Sequence, residues 1–172
     1  MLTVLRLFLV PLFVAALFAG GTGWRIAAFA LFWIASATDL LDGRIARQRG
    51  LVTDFGKVAD PIADKALTGA ALISLSIMHE LAWWVTALIL LREVGVTVLR
   101  FAVIKRGVIA ASRGGKLKTL LQMIAISLYV LPGPPGLLRD VVMGITVVVT
   151  LVTGADYVVQ AARLRRPRPA RA

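Results

Sequence analysis

Six apolar stretches run through this 172-residue chain, and ionisable residues gather in the connections between them. The stretches lie at about 4–20, 25–43, 58–78, 82–104, 118–132 and 139–160. Each comes close to the roughly 20 apolar residues that a helix needs to cross a bilayer. They are too long and too evenly apolar for the alternating pattern of barrel strands, and backbone polar groups in lipid must be satisfied within the segment. All six are therefore predicted to be helices. The expected fold class is all-α: a polytopic membrane protein with six transmembrane helices, a single membrane domain over 1–162 and a basic Arg/Pro-rich tail over 163–172. Pro11, inside the first stretch, predicts a kink there. A cleaved signal peptide, with Arg6 as its charged region and Ala19-Gly20 as its small residues, is the competing reading of the start. It would leave five spans and break the alternation of basic loops.

Composition supports lipid as the solvent. The chain is 59% hydrophobic with a mean hydropathy of +0.85, against about 45–50% apolar residues in an ordinary soluble domain. The absence of cysteine excludes disulfides, thiolate metal sites and thiol nucleophiles. The net charge of +11 could suggest nucleic acid, but the cations form no single face of a soluble fold, and no nucleic-acid partner is expected. They fall instead into alternate connections: Arg44, Arg47, Arg49 and Lys57; then Lys105, Arg106, Arg113, Lys116 and Lys118; then Arg163, Arg165, Arg166, Arg168 and Arg171. The opposite connections contribute only Arg25 and Arg139. Because cytoplasmic loops carry the excess of Lys and Arg, both termini are expected in the cytoplasm.

Ionisable groups within spans are functional by default, and here they concentrate at one place. Asp39 and Asp42 are three apart near the end of the second span, and Asp60 and Asp64 are four apart at the start of the third. On helices each pair shares a face. A connection of about a dozen residues between antiparallel helices would bring the two faces together at the cytoplasmic boundary. Four anions at close range repel one another unless a positive group sits among them. Oxygen-only donors favour a hard divalent cation such as magnesium or manganese, and four carboxylates can hold two ions. Pairing of the aspartates with Arg44, Arg47 and Lys65 is the plain structural alternative.

The run Asp39-Leu-Leu-Asp42-Gly43-Arg-Ile-Ala46-Arg47, followed after eight residues by Gly56 and at three-residue intervals by Asp60 and Asp64, resembles the full signature of the CDP-alcohol phosphotransferase family. The resemblance implies that Asp39, Asp42, Asp60 and Asp64 bind two metal ions that clamp a diphosphate, with Asp64 also the general base. Gly43, Ala46, Arg47 and Gly56 are then expected to shape the pocket for the CDP moiety. It further implies a bacterial plasma-membrane enzyme, generally a homodimer, with its active site at the cytoplasmic face. Such relatives usually carry a short amphipathic lead before a Leu-Thr-x-x-x-Arg element. Here Met1 directly precedes Leu2-Thr3-Val4-Leu5-Arg6, which raises the expectation of a truncated or misassigned start.

The acceptor must be read from the second half. Leu91-Arg92-Glu93-Val94-Gly95-Val96-Thr97-Val98-Leu99-Arg100, with Ala111-Ser112-Arg113-Gly114-Gly115-Lys116-Leu117-Lys118-Thr119, resembles the bacterial phosphatidylglycerophosphate synthases within that family, which implies CDP-diacylglycerol and glycerol 3-phosphate as substrates. An acceptor carrying its own phosphate needs cations, and Arg92, Arg100, Arg113, Lys116 and Lys118 are the candidates. Arg92 and Arg100, two turns apart, are expected to face inward, with Glu93 pairing with either of them. The loop cations are equally accounted for by orientation alone, and Arg92 and Arg100 by a structural ion pair. His79 falls at the opposite boundary, too distant to be the base. Inositol phosphate, serine or phosphatidylglycerol (a cardiolipin synthase) are the alternative acceptors. A divalent-cation transporter, the rival from another class, predicts carboxylates at the midplane and repeated broken helices, neither of which the sequence contains.

Overall fold

Among the described residues, six α-helices follow in chain order: α1 (Leu2–Ala19), α2 (Gly21–Arg49), α3 (Asp54–Ile77), α4 (Trp83–Val103), α5 (Arg113–Val130) and α6 (Gly136–Arg165). The computed structural model describes the backbone over 2–49, 54–103 and 113–165, and side-chain surroundings over 8–38, 65–99 and 114–162. There is no strand among the described residues. Each helix coincides with one expected span, but several overrun it. The dozen-residue connection expected between the second and third spans is helical on both flanks, since α2 runs on to Arg49 and α3 already starts at Asp54. Apolarity marks lipid contact, whereas Arg44-Ile45-Ala46-Arg47-Gln48-Arg49 continues in residues of mostly good helix propensity. For the same reason α6 extends through Arg165, into the expected tail, whose residues 166–172 lie outside the described residues.

The chain divides into two compact units, Met1–Thr86 with Ile126–Gly136, and Ala87–Ala125 with Leu137–Ala172. In the first, α1 packs along both α2 and α3. Helical spacing places Phe13, Ala16 and Leu17 of α1, Ala28, Phe32 and Ala35 of α2, and Leu67, Ala71, Leu72 and Leu75 of α3 in its core. The rings of Phe13 and Phe32 meet with centroids 5.8 Å apart. Only one residue separates α1 from α2, and Gly20 and Gly21 turn the chain with φ of 72° and 79°. No atom crowds either glycine, so the backbone angle and not lack of space requires them. Arg25, early in α2, is ion-paired with Glu80 in the turn between α3 and α4.

That turn closes α3 by a Schellman pairing: the amide of His79 donates to Ser76 O at 3.1 Å, and that of Glu80 to Leu75 O at 3.0 Å. His79 occupies the left-handed position with φ 59°, a conformation that strains a residue with a Cβ. Its side chain is exposed, so the imidazole contributes little in return. His79→Gly is expected to stabilise the protein by about 1 kcal/mol. A melting temperature in detergent at or below that of the parent would contradict this.

The second unit is formed by most of α4 and α5 with α6. Tyr157 and Ala161 of α6 are buried together, with Val96 and Leu99 of α4 packed against them. Thr146 of α6 donates to Leu121 O of α5 at 3.3 Å. The distribution of polarity is inverted relative to a soluble protein. Leu91, Val94, Val98, Leu120, Leu137, Val148 and Val152 face outward, while Lys118, Gln122, Thr146, Thr150 and Thr153 are buried. Such a surface suits lipid. Among the described residues α6, over Gly136–Ala162, is long and apolar enough to cross a membrane, and Phe8–Ala19 and Lys65–Ile77 are shorter apolar segments. Ionisable residues such as Arg92 and Glu93 in α4 lower the apolarity of helices that are otherwise long enough.

Candidate functional site

The acidic positions fall on two successive helices. Asp39 and Asp42 are one turn apart in the C-terminal half of α2, and Asp60 and Asp64 one turn apart in the first half of α3. Gly43, Ala46 and Arg47 follow on α2, and Gly56 precedes on α3. The register that the two pairs need is therefore present in the backbone. The side chains of residues 39–64 lie outside the described residues, and among the described ones no cluster of three metal-ligating groups occurs.

The second unit holds a charged network. Glu93 Oε1 accepts from Arg92 Nη1 at 3.1 Å and is also bonded to Lys118 Nζ, so one carboxylate joins α4 to α5. The three side chains are only 11%, 15% and 7% exposed in the order Arg92, Glu93, Lys118. Arg92 reaches α6 as well: Nη2 donates to Thr153 Oγ1 at 2.9 Å, and the guanidinium lies 5.8 Å from the centre of the Tyr157 ring. Gly154 makes room for it, since a Cβ there would stand 3.1 Å from Arg92 Cγ. Beside the guanidinium, Gly95, Val96, Leu151, Gly154, Ala155 and Val158 line an apolar cleft of about 320 Å³.

Of the five cations expected to bind an acceptor phosphate, then, the structure brings Arg92 and Lys118 together through Glu93. Arg92 faces inward as expected, and Glu93 bonds Lys118 in addition to an arginine. Lys116 is exposed near the start of α5. Arg113 begins α5 and Arg100 lies in α4, both with side chains outside the described residues. The contributions of Thr153 and Tyr157 were not anticipated. The available signal was the spacing of Thr146, Thr150, Thr153 and Tyr157, which repeats polar residues every three or four positions along an otherwise apolar helix.

An all-helical chain with an apolar exterior, buried ion pairs and this carboxylate signature belongs to the CDP-alcohol phosphatidyltransferase family, which it matches over residues 1–152. The family is membrane-associated in bacteria and generally depends on a divalent metal. Particular relatives narrow the comparison. A probable phosphatidylglycerophosphate synthase of Mycobacterium tuberculosis is 55% identical over 167 residues, covering 94% of this chain and 80% of that protein. The CDP-diacylglycerol–glycerol-3-phosphate 3-phosphatidyltransferases of Rickettsia felis and Bacillus subtilis are each 37% identical, covering 91% of this chain and 90% of theirs.

Proposed function

We propose that this protein transfers the phosphatidyl group of CDP-diacylglycerol to glycerol 3-phosphate, giving phosphatidylglycerophosphate and CMP. The observation that carries this reading is the complete carboxylate signature, Asp39 to Asp64, held on two successive helices of a chain that matches the family over most of its length. The shared names of its relatives supply the acceptor.

Four aspartates and no cysteine make a hard, oxygen-only donor set suited to magnesium or manganese, so Asp39, Asp42, Asp60 and Asp64 would hold two such ions. When bound, these neutralise the diphosphate and the leaving phosphate. Asp64 takes the proton of the primary hydroxyl as its oxygen attacks the phosphorus bearing diacylglycerol. The bond from that phosphorus to the CMP oxygen breaks, and CMP departs with the electron pair. Gly43, Ala46 and Gly56 let the nucleotide approach the backbone, and Arg47 meets its charge. Arg100, Arg113 and Lys116 attract the acceptor phosphate, while Arg92 and Lys118 are held ready by Glu93. Six membrane spans with both termini in the cytoplasm, a cytoplasm-facing site in a bacterial plasma membrane, a homodimer, and a tail resting on anionic lipid complete the proposal.

The test is CMP release by purified protein with magnesium and CDP-diacylglycerol, comparing glycerol 3-phosphate with inositol phosphate, serine and phosphatidylglycerol. Release with glycerol 3-phosphate alone is expected. Preference for another acceptor would overturn the assigned substrate, and no release with any would overturn the activity. Arg113→Ala and Lys116→Ala should each raise KM for glycerol 3-phosphate by roughly tenfold or more, the worth of a charge-assisted hydrogen bond. An equal loss of donor affinity would count against these roles.

A further inference from the structure

Resting on that proposed reaction, we infer that Gln122 and Thr150 form a polar subsite that reads the secondary hydroxyl of the acceptor. Gln122 is 4% exposed, yet neither its Nε2 nor its Oε1 has a hydrogen-bond partner. Thr150 is fully buried, and its hydroxyl is likewise unpartnered. Arg92 Nε, in the same unit, is also without a partner.

The contrast with neighbouring threonines is informative. Thr146 Oγ1 donates to Val142 O at 2.8 Å, and Thr153 Oγ1 to Val149 O at 2.8 Å, each four residues back along α6. Thr150, between them, makes no such bond, although that is the usual way for a threonine to satisfy itself in an apolar helix. Buried polar groups without partners are rare because each gives up water for nothing, and a leucine or methionine at 122 would avoid the cost.

The helix register groups these atoms. Gln122 stands one turn beyond Lys118 on α5, and the Thr146 bond to Leu121 O sets that stretch of α5 against α6. The Arg92 bond to Thr153 and the Lys118 bond to Glu93 bring α4 to the same level. An amide that donates and accepts, a hydroxyl that does both, and a guanidinium N–H thus occupy neighbouring turns of three helices. A bare phosphate does not call for the amide carbonyl, which would repel it. A hydroxyl beside a phosphate uses all of these groups: Gln122 and Thr150 exchange hydrogen bonds with the hydroxyl, and Arg92 Nε donates toward the phosphate.

The experiment compares glycerol 3-phosphate with propane-1,3-diol monophosphate, which keeps the primary hydroxyl and the phosphate but lacks the secondary hydroxyl. The parent protein is expected to favour glycerol 3-phosphate in kcat/KM by about 100-fold or more, because a site built to bond a hydroxyl rejects the analogue lacking it. Gln122→Met should reduce that preference by roughly tenfold or more without changing KM for CDP-diacylglycerol, and should melt no lower than the parent. Thr150→Val, close to isosteric, is the second variant and carries the test if Gln122→Met does not fold. Equal use of both acceptors by the parent, or an unchanged preference in the variants, would overturn the inference while the proposed reaction stands. Absence of CMP release with glycerol 3-phosphate in the parent would instead remove the reaction on which it rests.

Discussion

Asp64→Asn is expected to lower turnover by about 10³-fold or more while CDP-diacylglycerol binding is at least partly kept. Position 64 lies one turn beyond Asp60 in α3, and asparagine and aspartate have similar helix propensities, so the backbone has little reason to change. The substitution keeps the side chain's size and one carbonyl oxygen. It removes the negative charge and the capacity to take a proton. A general base alone contributes about 10²–10⁴-fold, and the same carboxylate is proposed to hold metal, so both losses fall on the chemical step. The measurement is CMP release under saturating substrates, with CDP-diacylglycerol binding followed separately. Turnover within about tenfold of the parent would remove Asp64 from the role of base.

The largest effect on stability is expected at Glu93. Its carboxylate bonds Arg92 and Lys118, all three largely buried, and Glu93→Ala leaves two buried cations without the anion they share. Breaking a buried ion pair by removing one partner costs about 3–5 kcal/mol. Thr153→Val, which removes one hydrogen bond from Arg92 but leaves its ion pair with Glu93, should cost less than this, since interhelical hydrogen bonds in membrane proteins average about 0.6 kcal/mol and reach about 1.7 kcal/mol. Glu93→Gln keeps the shape and an acceptor oxygen and should fall between the two. Thermal unfolding in detergent orders the three variants. A Glu93→Ala protein within about 0.5 kcal/mol of the parent would mean that the network contributes little to holding α4, α5 and α6 together.

The number and approximate position of the helices, the exclusion of thiol chemistry and the carboxylate signature were legible along the chain. Each is a local property: an apolar run of a given length, a missing residue type, a spacing of three or four. The helix ends were less legible. Lipid contact stops before hydrogen bonding does, so α2 and α3 both extend into what read as a connection. Glu93 was recognised as a partner for arginine. Its bond to Lys118, 25 residues away, depended on how α4 and α5 pack.

By itself, then, the sequence determined a helical, lipid-suited chain with two pairs of aspartates, each one turn apart, on two successive helices, because periodicity and residue chemistry act over one or two turns. Only the tertiary structure decided that Arg92 threads past Gly154 to Thr153 and Tyr157, that Lys118 is buried against Glu93, and that Gln122 and Thr150 stay without partners. Those facts depend on side chains from separate helices meeting at one depth, and no local pattern encodes which turns will face each other.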